Sequence, residues 1–267
     1  GDHRDLHLSI RRQRQMCIRD SNRVDRNGRG TFERVWKGIK LLQEHDIPFH
    51  VICVVTEYSL DYVDEIFRFF VENGISDMGF NTEEITGINI KSSLDEIKSH
   101  DKCRNFFKRL IELQKTASFR TAIREFSYIS QRIMIAREPV RLAVTTPFEI
   151  LSFDIDGNFS TFCPELLSIS DKRFDNFHYG NIHRDSIRSL ANNQKFQVVY
   201  SEIRQGIDAC SKTCEYFQVC GGGNPSNKIS EKGTFASTET MYCKLKIKTI
   251  SDIVAEELSQ VILESAK

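Results

Sequence analysis

The chain has 267 residues, room for one large domain or two modest ones. Lys+Arg and Asp+Glu balance at 37 each, which excludes a general electrostatic pull toward nucleic acid or an anionic membrane. No apolar run approaches the ~18 residues of a membrane span. No apolar signal-type stretch opens the sequence, so its eight cysteines point to metal ligation in a reducing cytoplasm.

Residues 1–21 are Arg-rich and hold no sustained period of 2 or 3.6. They resemble a translated sequencing-adapter tail; the alternative is a disordered basic arm. They are set aside from the fold, and Cys17 with them. From Asn22 a turn cluster leads into a helix with Thr31 as its N-cap and Phe32, Val35, Ile39 and Leu42 on one face. Asp46-Ile47-Pro48 ends it. Residues 49–55 are nearly continuously apolar, interrupted by His50, which predicts a parallel strand covered on both faces. Ser59 is placed to cap a helix over 60–73, with Val63, Ile66, Phe67, Phe70 and Val71 facing inward. Asn73-Gly74 stops it, and a second strand follows over 75–80. Strand–helix–strand with short loops is a right-handed βαβ unit.

The second strand runs into GFNTEEITGIN. In βα barrels the C-terminal ends of the strands face the active site, which makes Asn81, Glu83 and Glu84 candidate cofactor-binding residues; the alternative is a solvated polar loop. Residues 91–145 read as helical, with stripes at Phe106, Phe107, Leu110, Ile111 and at Ile123, Phe126, Ile129, Ile133, Ile135 that serve packing. Cys53 and Cys103 read as buried thiols. Arg120, Arg124 and Glu125 are candidates for a peptide groove. A hairpin spans 149–163 about the turn Asp156-Gly157, and Cys163 ends it. Helices are expected from about Asp185, over 193–205, and over 247–264.

The chemistry sits between the last two helices. Cys210, Cys214, Cys220 and Cys243 are spaced C-x3-C-x5-C-x22-C. Four thiolates can close a tetrahedral zinc site or ligate one iron–sulfur cluster. Zinc sites usually carry paired cysteines at both ends, whereas here three cluster and one returns alone. Gly221, Gly222 and Gly223 let the backbone pass close to a bulky group and aim N–H groups at its sulfurs. Tyr216 and Phe217 are placed to screen it from water.

The phrase CEYFQVCGGGNPSNK…GTF.STET.YC resembles the C-terminal SPASM domain of radical SAM peptide maturases, and within it the cyclophane-forming branch. The similarity covers residues 22–264. That family places a cysteine after a hairpin, then a glycine, then a C-x2-C-x5-C-x3-C run and a last cysteine. This chain departs in three places. Its first spacing is C-x3-C, Asn224 stands at the run's fourth cysteine, and Asp185 stands where a cysteine follows Gly180. The resemblance therefore implies one auxiliary four-iron four-sulfur cluster on Cys210, Cys214, Cys220 and Cys243, with Cys163 left from a first set.

The implied fold is α/β: the C-terminal part of a partial (β/α)6 radical SAM barrel over 22–145, then a small α+β SPASM iron–sulfur domain over 146–267. The resemblance further implies S-adenosylmethionine and a second four-iron cluster in an intact parent. No C-x3-C-x2-C triplet for that cluster occurs in the chain, so the chain reads as a C-terminal fragment, inactive alone. In the parent a 5′-deoxyadenosyl radical would abstract hydrogen from a ribosomally made precursor peptide, and the carbon radical would couple to an aromatic side chain. A flavodoxin or ferredoxin would supply electrons, and neither nucleic acid nor membrane is an implied partner. The alternatives are an anaerobic sulfatase-maturing enzyme and a non-enzymatic zinc-knuckle binding module.

Overall fold

Helix α1 (Phe32–Glu44) turns Phe32 and Trp36 inward, one helical turn apart, with their rings stacked at 6.1 Å. Trp36 takes the place expected of Val35, which is exposed. Thr31 stands at the N-cap position but makes no cap; its hydroxyl donates to the Arg23 carbonyl at 3.2 Å. The computed structural model describes residues 23–135 and 138–265, so the adapter-like leader and Cys17 lie outside the described residues. The chain divides into two units, one running up to Asn81 and including Asn105–Ser127, the other comprising Thr82–Arg104 and everything from Tyr128 on.

The first unit is built on a three-stranded sheet in the order β1 (Val51–Val55), β2 (Asp77–Thr82), β3 (Ala122–Ile123). The two predicted strands are neighbours in one sheet. β3, expected to be helical, pairs parallel to β2 through Asp77↔Ala122 and Met78↔Ile123. β1 is not covered on both faces: Val55 is buried, while Ile52 and Val54 are exposed. Strand alternation puts Val51, Cys53 and Val55 on the covered side, and burial pushes the Cys53 thiol up to about 12. Ser59 caps no α-helix. It lies in a 3-10 turn (Tyr58–Tyr62), where its Oγ accepts from the Thr56 N–H at 2.7 Å. Helix α2 (Val63–Glu72) follows and buries Ile66 and Phe67. Helix α3 (His100–Lys115) brings Phe106 edge-on to Phe80, with ring centroids 5.9 Å apart.

Helix α4 (Arg124–Ile135) buries Phe126 and Ile129, but Ile133 is exposed, so its apolar stripe ends a turn early. Beyond it, β4 (Leu151–Phe153) and β5 (Asn158–Thr161) form the expected antiparallel hairpin, with Phe153 opposite Phe159. The Asp154 carboxylate closes its turn by accepting from the N–H groups of Asp156 and Asn158. After the short hairpin of β6 (Ser170–Asp171) and β7 (Asp175–Asn176), β8 (Gly180–Asn181) adds to β5. Phe159, Phe162, Leu166, Phe177 and Phe235 are fully buried at the centre of this unit.

The helix expected at Asp185 is a 3-10 turn (Ile187–Asn192). Asp185 instead turns its carboxylate back to accept from the Asn181 N–H at 2.8 Å. Helix α5 (Gln194–Thr213) is capped by Asn193, whose Oδ1 accepts from the Phe196 N–H at 3.0 Å. It continues past the predicted end at 205 and carries Cys210 in its last turn. The one-turn α6 (Phe217–Cys220) and α7 (Pro225–Lys232) follow. A π-helical turn (Cys243–Lys248) leads into α8 (Thr249–Ser265). Ile250, Ile253 and Val254 are buried, while Val261 and Ile262, predicted on the same face, are exposed. No helix among the described residues is long and apolar enough to cross a membrane.

Candidate metal centre

Three stretches of backbone deliver the four cysteines. Cys210 lies in the last turn of α5, and Cys214 is its C-cap residue, with its N–H on the Cys210 carbonyl at 2.9 Å. Cys220 closes α6 and Cys243 opens the π-helical turn, an irregular helix form often found at functional sites. All four line one cavity of about 430 Å³. The glycine run makes this possible. Gly221, Gly222 and Gly223 have φ of 67°, 97° and 78°, the left-handed region that costs glycine little. A Cβ at Gly221 would also stand 2.2 Å from the Val140 carbonyl oxygen.

Burial pushes the Cys243 thiol up to about 12. Burial also raises Cys220; the Gly222 hydrogen bond opposes the shift, and the charges of Cys210 and Cys214 add to it. Bare, these two thiols stay protonated near neutrality; a bound cation reverses that by deprotonating its sulfur ligands. The Cys210 sulfur lies 3.8 Å from the Gly222 carbonyl and 3.7 Å from the Lys228 ammonium. Lys248 also lines the cavity and pairs with Glu239, which raises its pKa. Arg132 stacks over Tyr128 at 3.6 Å and donates to the Val219 carbonyl. Ile129, Leu142, Val144 and Phe217 give the cavity an apolar wall. Phe217 thus sits where a screen was expected, while the Tyr216 hydroxyl donates to Asp252 at 2.7 Å. Among the described residues no three His, Cys, Asp or Glu groups stand close enough to hold a single metal ion.

Cys163 is absent from the cavity lining, but it touches a residue that belongs to it. Its buried thiol donates to Asn224 Oδ1 at 2.8 Å, and burial raises its pKa. That same oxygen accepts from the Ser226 N–H and hydroxyl, each at 3.1 Å, and so caps α7. The three candidates from the strand end go to different tasks. Asn81 accepts from Arg124 at 2.6 Å within the first unit. Arg124 also pairs with Glu125, and Glu125 accepts from the Phe80 N–H at 2.9 Å, so these two candidate groove residues hold β2. Glu83 accepts from the Ser93 hydroxyl at 2.6 Å. Glu84 accepts from Asn227 Nδ2 at 2.9 Å, and burial raises its carboxyl. Sequence reasoning passed over Lys228 and Arg132. Lys228 carried a signal, since it lies four residues after the cap Asn224 and so one turn further on the same face.

No protein-family model matches the chain. It is 40% identical over 255 residues to the uncharacterized protein sll1766 of Synechocystis sp., covering 96% of this chain and 64% of that one. It is 25% identical over 220 residues to the cysteine-type anaerobic sulfatase-maturating enzyme of Clostridium perfringens, covering 77% and 54%. It is homologous to that enzyme. Native anSMEcpe solved with bound AdoMet superposes with a TM-score of 0.67 at 22% identity over 92% of this chain and 65% of that one. The same protein with AdoMet and the Kp18Cys peptide gives 0.68 at 20% identity, over 92% and 66%. The fold is therefore theirs: α/β, with sheet and helix content consistent with a partial barrel plus a further small domain. The chain spans between about half and two thirds of the length of these relatives.

Proposed function

We propose that these residues are the C-terminal part of a radical SAM enzyme that modifies a peptide, and that Cys210, Cys214, Cys220 and Cys243 hold one auxiliary four-iron cluster. The observation that carries this is their placement around one cavity of about 430 Å³. Tetrahedral zinc with Zn–S of ~2.3 Å draws four sulfurs together around a single ion. A cuboidal cluster instead takes each thiolate on a separate iron and fills a larger space. When bound, such a cluster supplies a one-electron acceptor for an oxidative reaction on the peptide. The chain's own residues hold the thiolates apart, exclude water with Ile129, Leu142, Val144 and Phe217, and place the Lys228 ammonium on the Cys210 sulfur.

The domain division that goes with this reading is a barrel part over 22–145 and an auxiliary-cluster domain over 146–267. S-adenosylmethionine and its own cluster belong to the longer protein, because no C-x3-C-x2-C triplet occurs in these residues; alone they should not cleave S-adenosylmethionine. The peptide partner is supported by the relative's name and by the peptide in its solved complex. Side-chain crosslinking is the reading supported by the resemblance of the cysteine segment. Maturation of a sulfatase cysteine is the second reading, supported by the homology to the clostridial enzyme.

The test has two stages. Anaerobic reconstitution should give about four irons with matching sulfide per chain. Stoichiometric zinc without sulfide, under iron-replete anaerobic expression, overturns the cluster. Mass spectrometry of peptide treated with the longer protein then separates the chemistries: a crosslink loses two hydrogens and keeps every sulfur, whereas cysteine maturation loses sulfur.

A further inference from the structure

Lys228 is 3% exposed and lies in the first turns of α7, the helix that Asn224 caps. A buried ammonium is costly to desolvate and needs a partner. Among the described residues no carboxylate is ion-paired with it, and its hydrogen-bond partner is the Cys210 sulfur at 3.7 Å. The other cations of the cavity are engaged elsewhere, Lys248 with Glu239 and Arg132 with the Val219 carbonyl.

The slot that holds Nζ is shaped from α5. A Cβ at Gly206 would stand 2.9 Å from Lys228 Nζ and 2.2 Å from the Phe235 carbonyl oxygen, so the missing side chain is what leaves room for the ammonium. On its other side the stem passes Gly223, whose Cβ would lie 4.0 Å from Cε. A neutral thiol is a weak acceptor, whereas a metal-bound thiolate accepts a charge-assisted hydrogen bond. This packing thus pays for a buried charge that only an anionic sulfur repays.

Resting on the cluster reading above, we infer that Lys228 is a positioning residue, its ammonium held on the Cys210 sulfur to raise the reduction potential of the cluster. Reduction adds one negative charge to an already anionic group. Hydrogen bonds to the sulfurs and local charge are among the factors that set such potentials. A fixed positive charge stabilises the reduced state more than the oxidised one. Lys228 itself is buried, and a charge out of water acts more strongly on its neighbour.

The experiment compares wild type, Lys228→Met and Lys228→Arg after anaerobic reconstitution. Iron and sulfide are measured first, then the midpoint potential by redox titration followed by electron paramagnetic resonance. Wild type without iron and sulfide overturns the cluster reading and this inference with it. With full clusters in all three, a midpoint shifted to lower potential in Lys228→Met and close to wild type in Lys228→Arg supports the role. An unchanged midpoint in Lys228→Met overturns the inference and leaves the cluster reading standing. A merely structural lysine would lower the melting temperature of that variant without moving the midpoint. Should Lys228→Met fail to assemble its cluster, 15Nζ-lysine-labelled wild type decides: hyperfine coupling that vanishes in Lys228→Arg supports the contact, and its absence overturns it.

Discussion

Asn224 should behave as a helix cap and not as a cluster ligand, and Asn224→Ala tests this. Its Oδ1 accepts from the Ser226 N–H, the Ser226 hydroxyl and the Cys163 thiol, at 3.1, 3.1 and 2.8 Å. Losing an N-cap costs about 1 kcal/mol. Ser226 is fully buried, and a buried hydroxyl left without its partner costs a further ~1–3 kcal/mol. The thiol is a weak donor and adds little. The expected loss is therefore about 2–4 kcal/mol in urea denaturation, with the iron content of the reconstituted protein unchanged. Asn224→Asp keeps a capping oxygen and should recover most of the loss. Iron uptake falling to that of a cysteine variant would refute the reasoning, as would a stability change below ~0.5 kcal/mol, the range of an ordinary surface substitution.

Alanine at Cys210, Cys214, Cys220 or Cys243 should empty the site and lower the melting temperature, since ligation contributes folding free energy; Cys163→Ala should leave iron and sulfide where they were. Glu84 carries a carboxyl raised by burial. The folded state therefore holds its proton to higher pH than the unfolded chain does, and stability falls as pH rises through that titration. Urea denaturation should find Glu84→Gln close to wild type near pH 4 and more stable near pH 7, and equal stabilities at both would refute the burial argument. Gly221→Ala places a Cβ at φ of 67° and 2.2 Å from the Val140 carbonyl oxygen. The left-handed backbone alone costs ~1–2 kcal/mol, so thermal melting should show at least that loss together with reduced iron uptake through a displaced Cys220.

What the sequence disclosed follows the strength of each local signal. The pairing of β1 and β2 in one sheet was legible because apolar runs and an Asn-Gly stop bracket an amphipathic helix. β3 was not, because two residues, Ala122 and Ile123, carry no period of their own and take their pairing from β2. Val35 and Trp36 both fit a helical pattern, and the choice between them was made by Phe69, whose ring sits 5.5 Å from Trp36. Thr31 and Ser59 have the residue type of caps, yet nearby backbone groups claim both hydroxyls. The cysteine spacing singled out four thiols that line one cavity. It carried no information about the cations, because Arg132 and Lys228 reach the cavity from elements whose packing is set elsewhere.

The two positions that break the implied first cluster set share one physical feature. Asp185 gives an oxygen to the Asn181 N–H, and Asn224 gives one to the Ser226 N–H. Each closes a turn by capping backbone, which a thiolate does poorly and an oxygen does well. Carboxylate and amide oxygens are in turn hard donors, ill suited to iron–sulfur ligation. An oxygen at each of these residues thus adds local structure where a thiolate would offer a ligand. Cys163 is held as a protonated, buried thiol on Asn224. Cys163, Asn224 and Ser226 thus form a packed, hydrogen-bonded corner. A single replacement of Asn224 by Cys should not bring a second cluster back, because Asp185 would still be bound to the backbone of β8. Iron analysis of Asn224→Cys should therefore stay at about four per chain, and a rise toward double that value would show that the corner opens more readily than its hydrogen bonds imply.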